Sequence, residues 1–253
     1  MKIHWNVQQG SLDWHKLRRG IPTASGAHRI ITPGKQQDAA ARKRYLCELV
    51  AQRLLNWQAE SIEMLEHVAR GKAHEKDAAF AFELANSVET KPVGFVTTDD
   101  GRFGASPDRL IVADMTPLEI KCPSDVVQLE YLFFGLGNDY RCQVQAQIMT
   151  LEAERAAFHA YNVNIPQNFT VWTPRDNGFI ANLAGAIARF VDDLDAMTEQ
   201  ARAWGVYAEY EWRTAAEREY GPGVRRDPLT TEQELAAIIE HDMRHDELHR
   251  AGA

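Results

Sequence analysis

Apolar residues recur at two different spacings along this chain, and the change between them divides it into regions. Between residues 39 and 57, apolar side chains such as Leu46, Leu49 and Leu54 return every three to five positions, which predicts a helix. A helical pattern also covers residues 62–86. Residues 88–123 instead carry short apolar runs between turn-forming residues, which predicts strands. A helical first third is therefore expected to lead into a sheet.

The rest of the chain alternates between the two kinds of element. A short helix ended by Gly20 is expected within residues 6–20, and residues 126–135 are helical or irregular by pattern. The further predicted elements are a helix at 138–151, strands at 156–161 and 169–172, and a helix at 179–203. This order predicts an α+β fold with a mixed central sheet flanked by helices.

Two short strands of the predicted sheet, residues 111–112 and 118–121, are separated by a turn and predict a hairpin. If the turn centres on residues 113–114, Asp108 falls opposite Glu119, and opposed residues of antiparallel strands point to the same face. Lys121 follows two residues later and shares that face, because side chains alternate along a strand. Two carboxylates and an ammonium group are therefore expected to converge.

Such a constellation suits a divalent metal ion, because facing carboxylates repel each other unless a cation lies between them. Oxygen ligands from Asp108 and Glu119 favour Mg²⁺ or Mn²⁺, and the carbonyl of Ile120 can complete the shell. Lys121 can orient or deprotonate a water, or stabilise charge on a phosphate. Glu75, near the apolar face of its helix, can serve a second metal ion. Together these groups are what phosphodiester hydrolysis requires.

Simpler interpretations exist for both parts of this set. Asp108, Glu119 and Lys121 can form an ordinary surface salt bridge. Glu75 can be a surface glutamate paired with Lys72 or Lys76 on its own helix.

Composition is that of an ordinary globular protein, with 45% apolar and 25% charged residues. No apolar run is long enough for a membrane span, and the first residues lack the apolar region of a secretory signal. The three scattered cysteines show no zinc-ligand spacing and fit a reduced, cytoplasmic compartment. We therefore expect no membrane association.

Charge is distributed unevenly. The net charge is −8, yet residues 1–70 hold eleven Lys or Arg against six acids. An anionic ligand can therefore meet the first third of the chain. For the basic run at 42–44, a solvated helix face is an equal alternative.

A candidate phosphate site lies within this basic region. Thr23 and Ser25 are suitable N-caps for a following helix, whose free N–H groups and dipole bind phosphate. Arg18 and Arg19 lie just upstream and can supply bidentate donors. The alternative is a capped turn flanked by surface arginines.

Five short motifs occur in a characteristic order. They are Trp14-His-Lys-Leu-Arg-Arg-Gly with Thr23-Ala-Ser25, Gly71-x-x-x-Glu75, Ala105-Ser-Pro-Asp108, Leu118-Glu-Ile-Lys-Cys-Pro123 and Gln143-Val-Gln145. Pro107-Asp108 with Glu119-Ile120-Lys121 resembles the PD-(D/E)xK nuclease motif. Over about residues 8–175 the chain resembles the phage-type alkaline exonucleases of the lambda exonuclease, or YqaJ-like recombinase, family.

The resemblance implies a restriction-endonuclease-like core and a role for each matching residue. The implied metal ligands are Asp108, Glu119, the Ile120 carbonyl and Glu75, for two Mg²⁺ ions, with Mn²⁺ as the alternative. Lys121 would be the catalytic lysine, and Gln143 would position the water or the scissile strand. The implied contacts to DNA and its 5′-phosphate are Arg18, Ser25, Ser106 and Arg109.

The resemblance also implies an activity and partners. The expected reaction is 5′→3′ digestion of one strand of linear double-stranded DNA to mononucleotides, which leaves 3′ overhangs for annealing recombination. The family works as a ring-shaped homotrimer with a single-strand annealing protein, inside a bacterial host that carries the phage or prophage. An endonuclease on the same core, and a DNA-binding scaffold without turnover, are the alternative functions.

Two features depart from the resemblance. Arg109 stands where the family often has glycine, so it either contacts phosphate or only alters the hairpin. Residues 206–253 match nothing in the family and are expected to extend an exonuclease domain at 1–205. This domain is expected to comprise a basic helical part at 1–87, a catalytic sheet at 88–175 and the helix at 179–203. In the extension, His241, His245 and His249 recur every four residues, which either ligates a metal or marks a solvated helix face.

Overall fold

The computed structural model describes residues 1–55 and 63–206 of the chain. The helices in these ranges are α1 (Leu12–Arg18), a short 3₁₀ helix (Ala24–Arg29), α2 (Arg42–Leu55), α3 (Glu63–Asn86), α4 (Asp125–Phe134), α5 (Asp139–Leu151) and α6 (Asn177–Ala203). The strands are β1 (Lys2–His4), β2 (Thr90–Pro92), β3 (Phe95–Thr97), β4 (Gly104–Ala105), β5 (Arg109–Ile111), β6 (Pro117–Lys121), β7 (Arg155–Asn162) and β8 (Ile165–Pro174).

A five-stranded sheet forms the centre, in the order β2-β5-β6-β7-β8. Strands β6 and β7 run parallel, whereas the other neighbouring pairs are antiparallel. A parallel pair needs a crossover connection, and α4 and α5 supply it between β6 and β7. The expected α+β fold with a mixed, helix-flanked sheet is therefore confirmed.

Both faces of β6 are covered. On one face Leu118 and Ile120 pack against Ala78 and Phe82 of α3. Burying side chains of this size stabilises the fold by about 1.5–3 kcal/mol each. On the other face lies α5, which belongs to a larger core with the 3₁₀ helix, α2 and α6. Glu119 alternates with the α3-facing residues, so its carboxylate is held on the α5 side.

A smaller antiparallel sheet has the strand order β1-β3-β4. A parallel bridge joins Thr23, just before the 3₁₀ helix, to Gly104 of β4. This bridge places the start of the 3₁₀ helix beside the segment that leads into Asp108.

The end of α1 is fixed to α2. Gly20 adopts a φ of +65°, a conformation that side chains disfavour. Its N–H donates to Gln52 Oε1 at 2.9 Å, and its carbonyl accepts from Arg53 Nε at 2.8 Å. The last turn of α1, which carries Arg18, is thereby held in place.

Most elements lie where the apolar pattern predicts them, and the region left open at 126–135 is the helix α4. The residues following Thr23 form a short 3₁₀ helix, and Thr23 makes no side-chain capping bond. Within the described residues, no helix has the length and apolarity needed to span a membrane. His241, His245 and His249, with either interpretation of their spacing, lie outside the described residues.

Candidate active site

The hairpin β5–β6 has the register expected from sequence, with Arg109 opposite Leu118. Continuing this register by one residue places Asp108 opposite Glu119. The backbone N–H of Ile120 donates to Asp108 Oδ2 at 2.6 Å, which fixes the aspartate against β6. The two carboxylates therefore lie together at the end of the hairpin.

Glu119 is the most enclosed charged group of the site, with 3% of its surface exposed. Each of its oxygens accepts one hydrogen bond. Lys121 Nζ donates to Oε1 at 2.5 Å, and Gln147 Nε2 of α5 donates to Oε2 at 2.7 Å. The carboxylate is thus held in one orientation from both sides.

The electrostatics of the cluster favour an additional cation. Burial, and next the charge of Glu119, raises the pKa of Asp108 to about 8. For Lys121, burial alone would lower the pKa, but the carboxylates of Glu119 and Asp108 outweigh it and raise the pKa above its ordinary value. Without a cation the charged form of Asp108 is therefore disfavoured beside Glu119, and a divalent cation would take the place of its proton and stabilise both carboxylates.

The site offers Mg²⁺ two carboxylates and one carbonyl as ligands. Among the described residues, no three acidic, histidine or cysteine side chains form a ready metal cage. Mg²⁺ is usually bound through one or two carboxylates, with waters and substrate phosphates as the other ligands. Asp108 and Glu119, with the adjacent carbonyl of Ile120, match that pattern.

Glu75 approaches this cluster from α3 without joining it. Glu75 is half-buried. Its charge is one cause of the raised pKa of Asp108. The pKa of the Cys122 thiol is raised to about 11, first by burial and next by the charge of Glu75. Among the described side chains Glu75 forms no ion pair. The described contacts favour a carboxylate at the rim of the site over a helix salt bridge with Lys76, and the side chain of Lys72 lies outside the described ones.

Arg18 lies within electrostatic range of Glu119. Its guanidinium stacks on the Trp14 ring, 3.9 Å from the ring centroid. Burial lowers its pKa to about 10, opposed by the charges of Tyr45 and Glu119. Among the described residues no carboxylate forms an ion pair with it. A largely buried guanidinium without a counter-ion is suited to bind an anionic ligand.

Trp14 links Arg18 to Ser106. The indole Nε1 donates to the Gly94 carbonyl at 3.0 Å and to Ser106 Oγ at 3.2 Å. Because Ser106 accepts this bond, its own hydroxyl proton is available to a ligand. Ser25 is exposed and lies 3.1 Å from the Thr23 hydroxyl, next to the bridge between Thr23 and β4.

Arg109, in contrast, is engaged within the protein. Its Nε donates to Thr90 Oγ1 at 2.5 Å, and its Nη2 donates to the Thr90 carbonyl at 3.0 Å. The same guanidinium lies 3.7 Å from Glu83 of α3. These contacts favour the alternative in which Arg109 supports the hairpin, because they leave it little freedom to bind phosphate.

The glutamines of α5 divide into different roles. Gln143, expected at the reaction centre, is half-buried and makes no hydrogen bond among the described residues. Gln147, one turn later on the same face, is the residue that contacts Glu119. The four-residue spacing of Gln143 and Gln147 puts both on one helix face, and this spacing is the sequence signal for the contact. Gln145 instead binds the Pro174 carbonyl and the Asp176 N–H, which anchors α6.

The basic run at 42–44 is an ion-paired helix surface. Arg42 pairs with Asp193 at 2.6 Å and with Asp38 at 3.6 Å. Arg44 pairs with Glu48 at 3.0 Å. The solvated-face interpretation is therefore favoured for this run.

Comparison with known proteins places these features in context. The profile of the YqaJ-like viral recombinase domain matches residues 13–154. The structure is similar to an alkaline exonuclease (LHK-Exo) from Laribacter hongkongensis, with a TM-score of 0.69 and 26% identity, over 77% of this chain and 98% of that one. The complex of LHK-Exo with dAMP matches over the same shares, with a TM-score of 0.69 and 28% identity.

A phage related exonuclease from Haemophilus somnus 129PT shares the fold, with a TM-score of 0.56 and 15% identity over 71% of this chain and 96% of that one. No match was found among curated proteins.

Proposed function

Since this chain belongs to the YqaJ-like viral recombinase family, we propose that it is a DNA exonuclease. In detail, it digests one strand of linear double-stranded DNA in the 5′→3′ direction, with Mg²⁺ as cofactor. It releases 5′-mononucleotides and leaves 3′ overhangs for annealing recombination. The likeness to the alkaline exonuclease from Laribacter hongkongensis supports the class of reaction.

One observation carries the proposal: the acid–lysine cluster and an unpaired guanidinium share one site. Glu119 lies 2.5 Å from Lys121 Nζ and also acts on the pKa of Arg18. A surface salt bridge would explain neither the burial of Glu119 nor the absence of an ion pair on Arg18 among the described residues. A site for metal and phosphate together explains both.

The residues have distinct parts in hydrolysis. Asp108 and Glu119, with the Ile120 carbonyl, would hold one Mg²⁺, and Glu75 would serve a second ion at the rim. When bound, Mg²⁺ supplies positive charge for the scissile phosphate and the leaving oxygen. Lys121 stays protonated beside two carboxylates, so its ammonium group orients water and stabilises phosphate charge.

Other groups position the DNA. The amide of Gln143, which has no partner among the described residues, is available to the attacking water or the scissile strand. Arg18 would bind the 5′-terminal phosphate by charge-assisted hydrogen bonds, with the hydroxyls of Ser106 and Ser25 as further donors. This pocket would make the enzyme start at DNA ends.

The assembly proposed for this chain follows its family. It comprises a homotrimeric ring around DNA and a single-strand annealing protein as partner, in the cytoplasm of a bacterial host. Residues 206–253 would form an extension to the exonuclease domain at 1–205, available for subunit packing or partner docking.

The decisive experiment uses a linear duplex with one 5′-phosphorylated end and separately labelled strands. We expect Mg²⁺-dependent release of mononucleotides from the 5′-phosphorylated strand, abolished by EDTA. Asp108→Ala and Lys121→Ala should each lower the rate by at least about 100-fold.

Asp114→Ala is the matched control, because it removes a carboxylate from the turn of the same hairpin, where Asp114 pairs with Arg155. It should retain activity. Full activity of Asp108→Ala, with folding verified by circular dichroism, would refute the assigned site. Nicking of closed circular plasmid would identify an endonuclease instead, because such DNA offers no ends.

A further inference from the structure

The contact between Gln147 and Glu119 is the feature of the site that the family motifs leave out. Gln147 lies outside the Gln143-Val-Gln145 motif, two residues past its end. It is 1% exposed, and its Nε2 donates to Glu119 Oε2 at 2.7 Å. Resting on the proposed metal-dependent function, we infer that Gln147 is a positioning residue that sets the metal affinity of the site through Glu119.

The fold itself gives Gln147 little reason to be polar. Its Oε1 is buried and accepts no hydrogen bond among the described residues. A buried polar group without a partner costs about 1–3 kcal/mol, so nothing in the fold except the bond to Glu119 favours a polar side chain at this position. The contact with Glu119 is thus the remaining use of the amide.

The orientation of the amide follows from the same contact. If the amide were turned over, Oε1 would face a carboxylate oxygen, and two acceptors would repel each other. Only Nε2 towards Glu119 gives a hydrogen bond. The donor therefore acts on the carboxylate and not on the helix.

A neutral donor has a particular consequence for cation binding. Lys121 already holds Glu119 Oε1, so Gln147 completes the restraint on the other oxygen. A second ammonium group in its place would cancel the negative charge that attracts a cation. An amide orients the carboxylate and leaves that charge intact, as residues behind metal ligands commonly do.

The test measures metal binding directly. Isothermal titration calorimetry with Mn²⁺ compares the wild type with Gln147→Met, which keeps the length of the side chain and loses the donor. We expect the Kd for Mn²⁺ to rise by about 10–100-fold. The Mg²⁺ concentration for half-maximal activity should rise in parallel, and excess Mg²⁺ should restore much of kcat.

Gln145→Met is the matched control. Gln145 is equally buried on the same helix, at 2% exposed, and its amide binds the Pro174 carbonyl and the Asp176 N–H instead of the site. This variant should lower the Tm and keep the Kd for Mn²⁺. If Gln147→Met does not fold, Gln147→Asn replaces it, because its amide is one methylene too short for the contact and it should also raise the Kd.

The outcomes separate the inference from the function on which it rests. A folded Gln147 variant that binds Mn²⁺ like the wild type overturns the inference and leaves the exonuclease proposal standing. A wild type that binds no Mn²⁺ and releases no nucleotides overturns both. Equal weakening in the Gln145 and Gln147 variants would assign the effect to helix packing and would also overturn it.

Discussion

Replacing Arg18 by methionine is expected to stabilise the protein while removing its preference for a phosphorylated end. Burial lowers the pKa of Arg18 to about 10, which corresponds to about 3 kcal/mol of unfavourable free energy for the charged form. Loss of the contact with the Trp14 ring, whose centroid lies 3.9 Å from the guanidinium, reduces this stability gain by about 0.5–2 kcal/mol. The net gain is about 1–2.5 kcal/mol, or roughly 2–10 °C in Tm for a chain of this size.

The sign of the pH dependence follows from the same shift. Below about pH 10 the arginine is charged in both the folded and the unfolded chain, so its cost is constant. The cost disappears only as the pH rises above the folded pKa. The stability gain of Arg18→Met should therefore be the same throughout the neutral range.

The functional loss has a separate magnitude. Hydrogen bonds to a charged group contribute about 1.5–3 kcal/mol, which is about 10–150-fold in the preference for a 5′-phosphorylated over a 5′-hydroxyl end. Digestion rates on both ends, with thermal unfolding of the same samples, measure the two effects together.

Arg29→Met is the control for the stability measurement. Arg29 stacks on Tyr45 and pairs with Glu48 at 2.7 Å, so its loss should destabilise the protein. An Arg18→Met variant that unfolds more easily, or that keeps the wild-type preference between the two ends, would refute the reasoning.

Two further substitutions test the surroundings of the hairpin. Arg109→Met should lower the free energy of unfolding by about 1–3 kcal/mol, because it removes the guanidinium donors to the Thr90 hydroxyl and carbonyl and the ion pair with Glu83, and the ratio of rates on the two kinds of DNA end should not change. A changed ratio would restore a phosphate contact for Arg109. Gln9→Ala should lower both stability and kcat, because Gln9 Nε2 donates at 2.8 Å to the carbonyl of Pro107, which precedes Asp108. Chemical denaturation and steady-state kinetics measure these effects, and an unchanged kcat would show that Gln9 does not position the aspartate.

Much of the β5–β6 hairpin was predictable because its determinants are local. The spacing of Asp108, Glu119 and Lys121 fixes which residues share a face once the turn is placed, and the structure has the predicted register. The helices were predictable for the same reason, since a repeat of apolar residues depends only on neighbouring positions.

The partners of these residues were harder to predict. Arg109 carries a charge suited to phosphate, yet Thr90 and Glu83 bind it from β2 and α3. Gln147 shares a face with Gln143, but sequence spacing does not say which of the two reaches Glu119. Both outcomes depend on packing between elements far apart in the chain.

The sequence by itself determined the α+β class, the hairpin register and the family resemblance, because periodicity and short motifs are properties of consecutive residues. Only the tertiary structure decided that α5 places Gln147 against Glu119 and that Arg18 stacks on Trp14 without an ion pair among the described residues. The physical reason is that burial and electrostatics depend on distance in space. The pKa values of Asp108 and Arg18 are therefore consequences of packing.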